Sequence, residues 1–294
     1  KIAGMIDESM DKEQMSKPPE PWEFRSKPTW QRLIIMLGGV TVNFILAIII
    51  YIGLAYAYGS SSVSLDSIND GFEINNPILL ESGFKTGDKI LSFNGNKLNT
   101  ISELRKSIVS AKTYEIERDG NILEISLPID FLGKFSSIDN PTLFELRTPF
   151  IIQNVAEESL NKDYDIQQGD MIVSLNGKEI KYADQLIPLL EENANRTIEV
   201  ELLRDSFKIQ KTLNVNKDGK LGFMTGATVK DMIDLGYLEL TVNSYSMVES
   251  IGVGTNNFIS FFGFYLEQFA AIFNPSTGAY KGLGGFLAIG NIFP

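Results

Sequence analysis

The side chains in these 294 residues that could do chemistry are carboxylates, hydroxyls, amides and lysines, because histidine and cysteine are both absent. Without imidazole or thiol there can be no Ser-His-Asp triad, no thiol nucleophile, no disulfide framework, and no zinc or iron site of the imidazole or thiolate kind. Metal binding could come only from carboxylates and carbonyls. A Ser-Lys or paired-carboxylate enzyme stays formally open, yet no Asp or Glu pair stands in a recognisable site motif. The formal net charge of −11 argues against nucleic acid as a partner. The length allows two or three modest domains, each able to bury a core. The sequence starts at Lys1 and stops at Pro294 straight after an apolar, Gly-rich run, and reads as a fragment.

The strongest internal signal is a duplication. Gly87-Asp88-Lys-Ile-Leu-Ser-Phe-Asn94-Gly95 recurs 82 residues later as Gly169-Asp170-Met-Ile-Val-Ser-Leu-Asn176-Gly177, identical at six of nine positions. Gly-Asp predicts a turn, Ile-x-Ser-x a strand, and Asn-Gly a two-residue hairpin. A short helix follows in each copy. Thr100 and Glu103 form a capping-box pattern, with Ile101, Leu104 and Ile108 on one face. Leu186 and Leu190 mark the equivalent face, where Pro188 falls past the first turn and predicts a short or kinked helix. Each copy ends in β-rich segments, residues 114–118 with 122–127 and 197–204 with 207–213, the first pair joined at Asp119-Gly120. Residues 130–148, with Gly133, Asp139-Asn140 and Pro141, read as a linker.

These copies hang on a hydrophobic anchor. Residues 33–58 carry no charge over 26 positions, more than the ~20 needed to cross a bilayer, and predict a transmembrane helix. Arg25, Lys27 and Arg32 precede it, while Asp66, Asp70, Glu73 and Glu81 follow. The positive-inside rule then places residues 1–32 in the cytoplasm and the rest across the membrane. Trp22, Phe24 and Trp30 suit the headgroup level. Gly38, Gly39 and Asn43 stand out within the span: small residues admit a second helix, and an amide at that depth needs a protein partner. Asn43 either bonds its own helix or a neighbouring one, or serves near an active site.

Residues 218–294 return to the membrane in this reading. Positions 251, 255, 258, 262, 265, 269 and 272 repeat at helical spacing, and Asn274-Pro275 ends the run. Glu249, Glu267, Asn256 and Asn257 argue on composition against a second full span. An interfacial amphipathic helix with Phe258, Phe261, Phe262, Phe264 and Phe269 as its wedge fits better; a core helix of a third soluble domain is the alternative. Residues 282–290 lack the Lys-Ser/Thr of a phosphate loop.

The order of turn, strand, turn, helix and strands resembles the PDZ fold in its bacterial, protease-associated form, over residues 71–129 and 149–217. That resemblance implies an α+β membrane protein with one transmembrane helix, two tandem PDZ-like domains of mixed β-sandwich plus helix, and the C-terminal interfacial helix. PDZ domains capture extended peptides by strand addition. Gly87, Asp88, Asn94, Gly95, Gly169, Asp170, Asn176 and Gly177 mark the two modules, which either bind peptide or act as packed spacers.

The whole arrangement resembles the middle of a bacterial site-2 protease of the RseP type, an intramembrane zinc metalloprotease that trims membrane-bound regulators such as anti-sigma factors. Lys1-Ile-Ala-Gly4 is similar to the stretch after the family's membrane-embedded hairpin. Residues 32–43 are similar to its second membrane helix, where Gly39-Val40-Thr41-Val42-Asn43 keeps the Gly and Asn of Gly-Pro-x-x-Asn without the Pro. The family's His-Glu-x-x-His and its ligating Asp have no counterpart here, so no residue is assigned as a zinc ligand or base. The resemblance implies zinc in the full-length parent and none bound by this chain. It also implies membrane-spanning substrates and extended peptides as partners, and a multi-pass place in the bacterial inner membrane with the PDZ-like domains periplasmic. Gly39 and Asn43 would be intramembrane helix contacts. The alternative is a membrane-anchored PDZ peptide-binding scaffold without catalysis.

Overall fold

In the structure, a computed structural model that describes residues 21, 24–138 and 142–283, the uncharged stretch is helix α1, Thr29–Tyr58. Trp22, residues 1–4, residues 139–141 of the expected linker and residues 284–290 lie outside the described residues. After α1 come β1 (Ser60–Val63), β2 (Phe72–Glu73), α2 (Pro77–Glu81), β3 (Lys89–Phe93), β4 (Asn96–Lys97), α3 (Ile101–Ser107), β5 (Thr113–Arg118) and β6 (Asn121–Ser126). Helix α4 (Phe131–Phe135) and β7 (Glu145–Leu146) lead to β8 (Ile152–Val155), β9 (Met171–Leu175), β10 (Lys178–Glu179) and α5 (Ala183–Glu192). The chain continues through β11 (Thr197–Arg204), β12 (Phe207–Asn214), β13 (Phe223–Thr225), α6 (Val229–Asp234), β14 (Leu240–Asn243) and α7 (Met247–Phe273). Two compact units result: α1 with residues 243–263, and residues 61–242 with the chain from Phe264 onward.

In the first unit α1 and the first half of α7 run antiparallel. Gly254 lies so close to α1 that an added Cβ would stand 2.5 Å from the backbone nitrogen of Ile52. Phe44 meets Phe258 and Phe262 edge-on, with ring centroids 5.7 and 5.1 Å apart. Small residues decide which face packs, because only they let backbones approach this closely. Ser250 and Gly254 are buried, whereas Ile251, on the apolar face expected from spacing, is 55% exposed. Tyr265 and Phe269 of that face are exposed too. The predicted helix and its end before Asn274-Pro275 are present; Phe258 and Phe262 of the expected face meet Phe44 of α1, and Gly254, outside that face, makes the close backbone approach.

The second unit holds the duplication. Four-stranded antiparallel sheets run in the orders β4-β3-β5-β6 and β10-β9-β11-β12, and each copy adds a two-stranded sheet, β2-β7 or β13-β8. The Asn94-Gly95, Asn176-Gly177 and Asp119-Gly120 pairs all have positive φ at both residues, the geometry of a tight two-residue hairpin. Strands β3 and β9 each bulge at the same repeat position, where the register slips across Leu91 and Val173. Alternation then aims Tyr114 and Ile116 into one core, and Ile198, Val200 and Leu202 into the other.

Thr100 caps α3 as expected: its Oγ1 accepts from Glu103 N, and Glu103 accepts from Asn99 N. Helix α5 is not the short one expected: it runs ten residues with Pro188 inside it, against seven in α3. An interior proline costs ~3 kcal/mol, but Leu186 and Leu190 are 0 and 4% exposed. Burying each leucine contributes about 1.5–3 kcal/mol, which offsets that loss.

Two expected boundaries shift. The stretch at 130–148, expected as a linker, belongs to the first copy: Phe131 and Phe144 pack with its core, and β7 pairs with β2. Residues 218–242, expected beside the membrane, include β13 in the second copy and α6, whose Met232, with Leu238 beyond it, is buried in the first copy's core. Packing, not composition, joined them, since a short apolar segment completes any nearby core.

Candidate functional site

The repeated Gly-Asp pairs do more than turn the chain. Asp88 and Asp170 are both 0% exposed, and a carboxylate removed from water needs a charged, hydrogen-bonded partner. Arg118 Nε and Nη2 donate to the two oxygens of Asp88 at 2.6 and 2.7 Å. Arg204 does the same to Asp170, at 2.7 Å for each bond. Backbone N–H groups of Lys85 and Gln167 add a third bond in each copy, both at 2.8 Å. Burial alone would raise the pKa of Asp170, but Arg204 and the Gln167 amide outweigh it and hold the group below the usual range.

The asparagines of Asn-Gly also build the fold. Asn94 Oδ1 accepts from Lys112 N and Thr113 N at 2.8 and 3.2 Å, while Asn176 Oδ1 accepts from Glu199 N at 2.9 Å. Asp88, Asp170, Asn94 and Asn176 therefore brace their modules, and the four glycines beside them take the positive φ of the turns. Sequence reasoning missed the partners Arg118 and Arg204. A signal was present, because each opens an Arg-Asp dipeptide at the same hairpin end of its copy.

Surfaces that could take an extended peptide lie elsewhere. Strand β13 pairs on one side with β8, through Ala156 N to Gly222 O at 2.9 Å and Gly226 N to Ile151 O at 3.1 Å. Alternation turns the main-chain groups of Phe223 toward the other edge, which has no strand partner among the described residues. The loop entering β13 runs against α5, where a Cβ on Gly219 would stand 2.8 Å from the Cα of Glu191. A free strand edge with a helix nearby can accept an added strand.

Within α1, Gly39 has open space around it among the described residues and Asn43 is exposed. Zinc does not fit this donor set. The sequence lacks imidazole and thiolate, and the described residues contain no group of three or more acidic side chains able to hold a metal ion.

A helix long and apolar enough to cross a membrane, joined to two tandem copies of one sheet-and-helix module, defines the class. The sequence matches the profile of Peptidase family M50 over residues 3–291, and the chain belongs to that family, in agreement with the resemblance to site-2 proteases. Among its relatives are two proteins named "Putative zinc metalloprotease". That of Staphylococcus aureus is 26% identical over 133 residues, covering 44% of this chain and 30% of the relative. That of Helicobacter pylori is 34% identical over 137 residues, covering 45% and 37%. The chain spans about a third of the length of these curated relatives. Among solved structures, the PDZ domain of an SdrC-like protein from Listeria monocytogenes is similar at 17% identity and a TM-score of 0.24, covering 29% of this chain and 90% of that one. Its counterpart from Listeria innocua has 14% identity, a TM-score of 0.25 and coverages of 27% and 96%.

Proposed function

We propose that this chain is the substrate-sorting middle of an intramembrane zinc metalloendopeptidase whose catalytic residues lie in other parts of the parent protein. The observation that carries the reading is the family match along 289 residues, 3–291, in a sequence without a single zinc-binding imidazole or thiolate. Helix α1 spans the bacterial inner membrane, with the two modules on the periplasmic side. The modules screen membrane-bound substrates, such as anti-sigma factors, by size or by capturing an extended segment on a free strand edge like that of β13. The second half of α7 lies at the membrane surface and gates access.

The test uses the full-length parent reconstituted in liposomes with a panel of membrane-spanning substrates that differ in the size of their periplasmic part. Metal-dependent cleavage whose preference for small periplasmic parts disappears when residues 61–242 are removed would support the reading. Peptide binding without any cleavage would replace it with a membrane-anchored scaffold.

A further inference from the structure

The two copies meet at a cluster that neither copy needs for its own core. Strands β2 and β7 pair with Phe72 opposite Leu146, so Asp70, just before β2, and Arg147, just after β7, leave the first copy side by side. Arg147 Nη1 donates to the Asp70 carbonyl at 3.1 Å. Both residues then reach the start of α5 in the second copy. Arg147 forks onto Asp184, with Nη2 at 2.7 Å and Nε at 3.2 Å, and its guanidinium stands 4.3 Å from the centre of the Tyr182 ring. The Tyr182 hydroxyl donates to Asp70 at 2.6 Å, and Lys181 forms an ion pair with the same carboxylate. Tyr237, beyond α6, packs edge-on against Tyr182 and donates to the Lys181 carbonyl at 3.3 Å.

Geometry and burial set this cluster apart from an ordinary surface salt bridge. The side chains of Arg147 and Asp184 are only 12 and 13% exposed, the contact is a planar two-bond fork, and one face of the guanidinium is covered by an aromatic ring. The connection between copies is also short, since Arg147 and Ile152 of β8 are five residues apart, and the Thr148 carbonyl accepts from Ala183 N at 2.8 Å. Tandem domains ordinarily swing about their linker unless the interface is large or strongly bonded.

We propose that Arg147, held by Asp70 and Asp184, locks the two copies into one rigid body and is the positioning residue for α5, the helix against which the loop entering β13 runs. A segment that adds to the free edge of β13 and displaces α5 then moves the first copy with it. The inference needs no catalysis and stands apart from the protease reading.

The absence of cysteine allows a direct test on the whole chain in detergent micelles. Nitroxide labels on Lys97→Cys and Lys178→Cys, both exposed and one in each copy, report the distance between copies by pulsed electron paramagnetic resonance. The expected result is one narrow distance distribution that broadens about twofold or more with Arg147→Ala. A pair within the first copy, Lys97→Cys with Glu124→Cys, keeps its distance in the same variant. A parent distribution that is already broad, or a narrow peak that survives Arg147→Ala, overturns the proposal. Should that variant fail to fold, Arg147→Lys retains the charge without the fork, and a peak as narrow as the parent's overturns the proposal there as well.

Discussion

The carboxylate of Asp170 sits inside the second copy with each oxygen 2.7 Å from a nitrogen of Arg204, a side chain that arrives from the far end of β11. Removing the cation alone leaves an uncompensated buried charge. Arg204→Ala is expected to destabilise the second copy by about 3–5 kcal/mol, read from urea unfolding. The double variant Asp170→Leu with Arg204→Met is expected to recover much of that loss. A single variant within 1 kcal/mol of the parent, by the scale of exposed pairs, would show the pair to be energetically idle.

Acid should weaken the second unit in a defined window. Lys181 and Tyr182 hold Asp70 below its ordinary range, and Gln167 with Arg204 and Lys211 holds Asp165 at about 2. For groups with depressed folded pKa values, stability is fully present above the unfolded value of about 3.9 and is lost as pH falls through the folded one. The melting temperature is therefore expected to hold from pH 7 to about 4 and to drop between about 4 and 2. Circular dichroism melts across that range check it; a flat profile below pH 4 would contradict the assignment.

Packing of α7 on α1 depends on Gly254. A leucine there meets the backbone of Ile52 rather than a movable side chain, so Gly254→Leu should separate the helices. Amide hydrogen exchange over 250–262 in micelles is expected to quicken. Exchange no faster than in the parent would mean that the contact contributes little.

Pro188 interrupts the hydrogen bonding of α5 while Leu186 and Leu190 keep it in place. Pro188→Ala restores one intrahelical bond and gives up some rigidity of the unfolded chain. The net expectation is a gain of about 2–2.6 kcal/mol, the ~3 kcal/mol interior cost less an unfolded-state effect of about 0.4–1 kcal/mol. A lower unfolding midpoint would show that the helix is shaped around the proline.

Metal analysis gives the simplest check. This chain, dialysed against buffer with equimolar zinc, is expected to retain far less than one zinc per molecule, since no cluster of ligands is available among its described residues. One tightly held zinc per chain would contradict that.

What the sequence determined by itself is local. A run of uncharged residues specifies a membrane-length helix through solvation alone, and Asn-Gly specifies hairpins because few residues tolerate positive φ. The Thr100 cap and the duplicated strands follow from interactions spanning a few residues. Tertiary structure decided everything that couples distant positions: Asp88 with Arg118, Asp170 with Arg204, Arg147 with Asp184, Met232 with a core far upstream, and Gly254 with Ile52. Those contacts depend on which charges burial leaves without water and which backbones come near enough to touch, and neither quantity exists until the chain has folded.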